Sequence, residues 1–286
     1  MDKFVIIEKK SLAPAICLME VYAPRIASSA LPGQFLIVRA DEKGERIPLT
    51  ICDYDRERGS VTIVIQVAGA STEKICSYRE GDAFADVAGP LGQPSEFAVK
   101  PVAEMAGKRY VFVAGGLGTA PVYPQVKYLH QAGAYTDVII GARNKDLIIM
   151  EDSMRDVCDR LFICTDDGSA GEKGFGTDVL GRLLDSGVKY DMGVAIGPMI
   201  MMKFVALKAK GYGLPLTVSL NTLMVDGTGM CGACRVTVGG KTRFACVDGP
   251  EFDAYQVDFD EAIRRQGMYR DQEREAGHKC HIGLGK

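Results

Sequence analysis

Residues 108 to 214 alternate buried strands with helices, and this rhythm restricts the fold more than any other feature of the chain. "KRYVFVAGG" reads as a strand ending in glycines, and "APVYPQVKYLHQAG" as the helix after it. "DVIIGA" and "RLFICTDDGS" are two further buried strands. "TDVLGRLLDSG" is a helix for which Thr177 suits the N-cap. "YDMGVAIGP" is a fourth strand, and "PMIMMKFVALKAKG" a helix with Pro198 near its first turn. Apolar strands separated by helices predict a parallel, doubly wound α/β sheet. Ligands of such sheets sit at the carboxyl ends of the strands.

The chain before this alternation has a different texture. Residues 1–99 carry short runs such as "KFVIIEKK", "ICLMEVYA", "QFLIVRA" and "GSVTIVIQVAG", parted by Pro32-Gly33, Gly44, Gly59, Gly81-Asp82 and Gly89-Pro90. Short strands with regular turn signals predict a small antiparallel β-barrel. Three segments follow: a barrel over 1–99, an α/β domain over 100–214, and a cysteine-bearing domain with a charged, partly helical tail over 215–286. A length of 286 residues with 47% hydrophobic content is enough for such cores. The net charge of −3 argues against a nucleic-acid footprint. "MDKFVIIEKK" lacks the apolar run of a signal peptide, and no stretch has the length of a membrane span. These features predict a cytoplasmic protein.

Three of the nine cysteines fall in "VDGTGMCGACRVTVGGKTRFAC", residues 225–246. The spacing is Cys231-x2-Cys234-x11-Cys246, with Asp226 five residues before Cys231. Gly239-Gly240 reads as a two-residue hairpin turn. Pairing outward from it sets Val238 opposite Lys241 and Cys234 opposite Ala245, so the hairpin returns Cys246 to the first two cysteines. The glycine-rich "DGTGMCGAC" can wrap closely and point N–H groups inward. Plant-type [2Fe–2S] proteins space their ligands Cys-x4-Cys-x2-Cys before a distant cysteine. Here the same spacing begins with Asp226, whose carboxylate matches a thiolate in charge. The alternatives are a zinc site with three cysteines and another ligand, or three packed cysteines with Asp226-Gly227 as a turn. Cys17, Cys52, Cys76, Cys158 and Cys164 read as core or surface thiols, and His278, Cys280 and His281 as an unliganded tail.

Two glycine-rich turns stand at strand ends. "VAGGLGTAP" follows the first strand of the α/β segment and opens a helix, where backbone N–H groups can meet phosphates. "AIGPMIMM" repeats the arrangement after the fourth strand. In the barrel, "RIPLT" offers the Arg46 guanidinium, which can pair with a pyrophosphate. Taken alone, each motif also reads as ordinary structure: a tight turn or a surface arginine.

In this order the parts resemble the ferredoxin–NADP reductase superfamily. The carriers are the barrel with Arg-x-Pro-Leu-Thr, the Gly-Gly-x-Gly-x-Ala-Pro turn and the late Gly-Pro. With the cysteine segment appended, the whole chain looks like one branch of it. That branch contains the electron-transfer subunit of dihydroorotate dehydrogenase and the small subunit of electron-bifurcating NADH-dependent ferredoxin:NADP oxidoreductase. "VDGTGMCGACRV" and "ACVDGPEFDAYQVDFDE" look most like the second, and Asp226 stands where the first has a cysteine. The resemblance implies an FAD site at Arg46, Pro48, Leu49, Thr50, Gln66, Val67, Gly69, Ser71 and Thr72. It implies a nicotinamide nucleotide over Gly115, Gly116, Gly118 and Thr119, with Gly197 and Pro198 near the nicotinamide. Many members carry cysteine before that Gly-Pro; here Ile196 stands instead. Asp166 and Asp167 would contact the nucleotide or cap the next turn, and Arg143 and Lys145 would meet a 2′-phosphate or simply be solvated. Asp226, Cys231, Cys234 and Cys246 would hold the [2Fe–2S] cluster.

The implied activity is oxidoreduction, with electrons passing between NAD(H), FAD and the cluster. No side chain is expected to act as nucleophile or strong acid. The implied partner is a large flavin and iron–sulfur subunit that binds NADPH and ferredoxin, forming a heterodimer. The competing readings are a dihydroorotate dehydrogenase electron-transfer subunit and a zinc-stapled nucleotide-binding sensor.

Overall fold

The computed structural model describes residues 3–268. The tail residues His278, Cys280 and His281 lie outside that range.

Six strands make the first sheet: β1 (Ile6–Ala13), β2 (Ile16–Tyr22), β3 (Phe35–Arg39), β4 (Arg46–Asp55), β5 (Ser60–Gln66) and β6 (Asp86–Leu91). Their order is β1-β2-β5-β4-β3-β6, and each neighbouring pair is antiparallel. The outer ends meet near residue 83, where the Ile6 N–H donates to Asp82 O at 2.8 Å and the Phe84 N–H to Phe4 O at 3.1 Å. That closure makes the expected barrel. Met19, Val21, Leu36, Val38, Ile63 and Ile65 fill it, inward at alternate positions of their strands. Helix α1 (Pro24–Ser29) packs on the barrel through Ile26 and Ala27. Helix α2 (Ala70–Ser77) follows β5 and buries only Ile75.

The second sheet has seven strands. They are β7 (Arg109–Gly115), β8 (Tyr135–Ala142), β9 (Arg160–Thr165), β10 (Glu172–Lys173), β11 (Met192–Ile196), β12 (Leu216–Ser219) and β15 (Glu251–Asp253), in the order β10-β9-β8-β7-β11-β12-β15. All pairs are parallel except β12 with β15. Along β7, Tyr110, Phe112 and Ala114 face one core while Val111 and Val113 face the other. This is why the strand reads as a continuous apolar run. Helices α3 (Thr119–Gln131) and α4 (Glu151–Arg155) cover the first core; α5 (Gly176–Asp185), α6 (Met199–Lys210) and α7 (Phe259–Gln266) cover the second.

Two findings differ from the sequence reading. Helix α5 begins at Gly176, so Thr177 lies inside it; the Asp178 carboxylate instead accepts the Phe175 N–H at 3.0 Å. Strands β10, β12 and β15 were not among the four expected. β12 and β15 come from the cysteine-bearing segment and extend the sheet. Between them runs the hairpin of β13 (Arg235–Val238) and β14 (Lys241–Phe244). Its register is the expected one, with Val238 opposite Lys241 and the Ala245 N–H donating to Cys234 O at 3.1 Å. Gly239 and Gly240 turn it with φ of 58° and 72°, the left-handed pair that a two-residue hairpin requires.

Candidate cofactor cleft and cysteine loop

The sheet order reverses between β7 and β11, because β8 and β9 continue on one side and β12 on the other. A crevice opens outside the strand ends at such a switch point. Here the barrel covers it, leaving a cleft of about 1740 Å³. That is larger than a pocket for one drug-sized ligand. Pro48, Leu49, Thr50 and Gln66 line its barrel side; Gly115, Gly116, Gly118, Gly197 and Pro198 line its sheet side. Cross-contacts hold the walls together. Lys127 Nζ of α3 lies 2.7 Å from Asp53 Oδ2 of β4, and Ala120 packs with Cys52 and Val64.

The glycines of the two turns have separate reasons. A Cβ on Gly118 would lie 2.1 Å from Ile196 O, and one on Gly197 would lie 2.9 Å from Gly115 Cα. These two positions are fixed by backbone packed against backbone. Gly116 is different. Its φ is +53°, and a Cβ there would meet nothing within 4 Å. Its backbone is therefore open to whatever enters the cleft, beside the first turn of α3. The Thr119 hydroxyl is turned away, donating to Gly116 O at 3.0 Å.

Other expected residues stand outside the cleft lining. The Arg46 Nε–H donates to the carbonyl of Asp226 at 3.2 Å, with Asp86 4.0 Å from its Nη1. The Thr72 hydroxyl accepts the N–H groups of Ala68 and Gly69 at 2.9 and 3.1 Å. Ser71 donates to Glu45, and the Val67 N–H donates to Ala15 O. Gly69 is exposed, with open space where a Cβ would be. Of the two aspartates after β9, Asp166 lines the cleft, whereas Asp167 Oδ1 accepts the Ser169 N–H at 2.9 Å and caps the turn. Arg143 lines the cleft, and the Lys145 N–H donates to Ser169 Oγ at 2.8 Å.

Sequence reasoning missed one wall. Ser219, Leu220, Asn221, Thr222 and Met224 line the cleft beyond the end of β12. Recognising β12 would have found them, since its carboxyl end lies beside that of β11. Thr222 Oγ1 is buried there with no partner among the described residues.

The loop after Met224 carries the cysteines. Gly227, Gly229 and Gly232 take φ of 82°, 88° and 68° and fold it back on itself. Cys234 and Cys246 are buried side by side, 3.2 Å apart at sulfur. Burial, then the neighbouring Cys234, pushes the Cys246 thiol up to about 12, opposed by a bond from the Gly229 backbone. Cys231 is exposed, and backbone groups at Ala233 and Asp226 hold its thiol below the ordinary value. Asp226 Oδ2 accepts the Thr228 N–H at 2.9 Å and also the Thr228 hydroxyl, which lowers its carboxyl. Asp248 is engaged in its own turn, accepting the Phe244 N–H at 2.7 Å. Among the described residues, no three His, Cys, Asp or Glu side chains converge as a single ion would require. Phe35, Ile37, Ala88 and Leu91 of the barrel pack on Cys234, Ala245 and Cys246, so the loop is seated against the cleft's barrel wall.

The family model for the iron–sulfur cluster binding domain of dihydroorotate dehydrogenase B matches residues 221–258, which include Asp226 and all three cysteines. An uncharacterised protein of Clostridium beijerinckii is 56% identical over 274 residues, 96% of this chain and 93% of its own length. The dihydroorotate dehydrogenase B (NAD(+)) electron transfer subunit homolog of Thermotoga maritima is 47% identical over 269 residues, 94% of this chain and 92% of its own. A chain in the structure of NADH-dependent reduced ferredoxin-NADP oxidoreductase, studied for flavin-based electron bifurcation, superposes with a TM-score of 0.90 at 43% identity over 99% of both chains. The chain belongs to the family of dihydroorotate dehydrogenase B electron-transfer subunits and their homologues.

Proposed function

We propose that this chain is the electron-transfer subunit of a cytoplasmic NADH-dependent ferredoxin:NADP oxidoreductase, carrying FAD and a [2Fe–2S] cluster and working with a large flavin and iron–sulfur subunit. The observation that carries this reading is the joining of two sites: a dinucleotide-sized cleft at the sheet's switch point and the cysteine loop packed on its barrel wall. Likeness to a chain of such an enzyme over 99% of both chains, together with Asp226 where the dihydroorotate subunit has a cysteine, favours it over the dihydroorotate alternative.

When bound, the flavin supplies the exchange between two-electron hydride transfer and single-electron steps. The chain's own residues bind and orient. Pro48, Leu49, Thr50 and Gln66 would seat the flavin. Exposed Gly69 and half-buried Ser71 and Thr72 form the start of α2, which with Val67 and Arg46 would lie toward the pyrophosphate. Gly115, Gly116, Gly118 and Thr119 would receive the nicotinamide nucleotide at the opening of α3, and Gly197-Pro198 would hold its ring. The rigid contact of Gly118 with Ile196 keeps these two turns in register.

Cys234 and Cys246, adjacent and buried, suit two thiolates on one iron; Asp226 and Cys231 would serve the other. A two-iron cluster divides its ligands in this way, whereas a zinc ion would draw all four to one point. The loop's backbone bonds to sulfur would persist as bonds to thiolate.

Anaerobic purification with the native partner tests the reading. The expected content is one FAD with about two irons and two labile sulfides per chain, and NADH should bleach the flavin faster than NADPH. One zinc without sulfide would overturn it. Co-purification of a dihydroorotate-oxidising subunit would select the alternative.

A further inference from the structure

Outside the cysteine loop, two more thiols meet. Cys17 lies in β2 and Cys76 in the last turn of α2, 59 positions apart, yet their sulfurs are 2.9 Å from one another. A disulfide needs about 2.05 Å between sulfurs, so closure asks for a movement of roughly 0.9 Å. Cys17 is 6% exposed and Cys76 is half-buried, so a reagent from solvent reaches Cys76 first.

We propose that Cys17 and Cys76 form an oxidisable dithiol, which a peroxide converts to a disulfide pinning the end of α2 to strand β2. Cys76 is the attacking sulfur. Its thiol is lowered by the hydrogen bond from Cys17 and by the Lys9 ammonium, whereas the Cys17 thiol is raised. Lys9 Nζ is fixed there, donating to Tyr78 O at 2.7 Å and to Cys76 O. The Glu80 carboxylate accepts the Lys9 backbone N–H at 2.9 Å, and Ser11 stands opposite Cys17 across β1 and β2. Thiolate at Cys76 attacks one peroxide oxygen; the O–O bond breaks, water leaves after protonation, and Cys76 becomes a sulfenic acid. Cys17 then attacks the Cys76 sulfur, the S–O bond breaks, and a second water leaves. In balance, two thiols and one hydrogen peroxide give one disulfide and two waters, each sulfur losing one electron.

The tether has a purpose that the packing suggests. Helix α2 buries a single side chain, Ile75, and its other ties are polar ones, from Lys9 to Cys76 O, from Ser71 to Glu45 and from Lys74 to Asp41. Its opposite end is the Gly69–Thr72 turn assigned above to the pyrophosphate. Oxidation would therefore stiffen the helix on which that turn stands, although the dithiol itself does not depend on any cofactor being bound.

The test uses the full chain with its cofactors, first reduced, then treated with equimolar hydrogen peroxide, alkylated and digested without reductant. The expected product is a cross-linked peptide pair joining Cys17 to Cys76, reversed by dithiothreitol. In Cys76→Ser, Cys17 should stay a thiol; in Cys17→Ser, one equivalent should leave Cys76 as a sulfenic acid that dimedone traps, and a second equivalent should carry it to sulfinic acid. Amide exchange across residues 70–77 of the wild type should slow roughly tenfold on oxidation. Separate alkylation of both cysteines after peroxide would overturn the proposal, and so would a cross-link that leaves exchange unchanged. The wild-type comparison stands even if a variant folds poorly. Flavin content, read in the same samples, bears on the cofactor reading alone.

Discussion

The cleft and the cysteine loop are both glycine-rich, but their glycines do opposite things. At the cleft, Gly118 and Gly197 let one backbone segment rest on another, with no room for even a methyl group. The two turns are thereby fixed by the sheet whether or not anything is bound. In the loop, Gly227, Gly229 and Gly232 permit left-handed turns in a stretch with no helix or strand from Leu220 to Cys234. Its tip is open, with Met230 86% exposed. A sheet-built site is formed before its ligand arrives. A loop-built site leaves part of its geometry to be set by the ligand, as metal binding commonly does.

The comparison breaks first at Gly118. Gly118→Ala places a carbon against Ile196 O and should force α3 away from β11. The expected loss is on the order of 4 kcal/mol, at the upper end for point mutations, read as a large fall in melting temperature. Gly116→Ala, with open space and only a positive φ against it, should cost about 1 kcal/mol. Equal melting of the two variants would mean that the cleft is not held by backbone contact.

The loop should respond in the reverse manner. Asp226→Ala should leave the melting of barrel and sheet close to wild type, because among the described residues the Asp226 side chain accepts only from within its own loop, chiefly from Thr228, and its backbone bonds to Arg46 and Cys231 survive the substitution. Cluster loss to a chelator should quicken at least roughly tenfold if Asp226 is the fourth ligand proposed above. An unchanged iron signal would make Asp226 a turn residue and nothing more. Arg46→Ala sharpens the same point. The sequence reading gives Arg46 to the flavin alone, but its bond to the Asp226 carbonyl predicts that cluster lability and flavin loss rise together.

What was legible in the sequence follows from the length and periodicity of each signal. The barrel, the four main parallel strands and the hairpin register could be read because apolar period and turn glycines agree there. Strand β12 was missed because four residues, "LTVS", give too short a run. With it went Asn221, Thr222 and Met224 on the cleft wall. Thr177 looked like an N-cap by residue type, but Asp178 does that work from inside the helix. Arg46 was legible as a functional candidate, whereas its bond to Asp226, 180 positions away, was not. Local pattern says nothing of such a contact until the fold exists. The same holds for Cys17 beside Cys76.

An effect smaller than that at Gly118 lies on the seam between the two regions. Glu251 sits in β15, which the cysteine-bearing segment lends to the sheet. Its Oε1 accepts Ser95 Oγ–H and Gln125 Nε2–H, both at 2.8 Å, from the chain after the barrel and from α3. Burial raises its carboxyl to about 7, outweighing those two donors. The unfolded chain releases this proton near pH 4.3, whereas the folded chain keeps it to about 7. Stability from this group is therefore full below about pH 4.3, falls as pH rises through that window, and is level above it. The integrated cost is about 1–3 kcal/mol after allowance for partial solvent access. Glu251→Gln keeps an acceptor for Ser95 and carries no charge. Denaturant midpoints measured from pH 5 to 8 should show the variant gaining on wild type as pH rises. A constant difference across that range would show that Glu251 is ionised throughout. The seam would then be a fixed ion–dipole contact, as insensitive to pH as the backbone packing at Gly118.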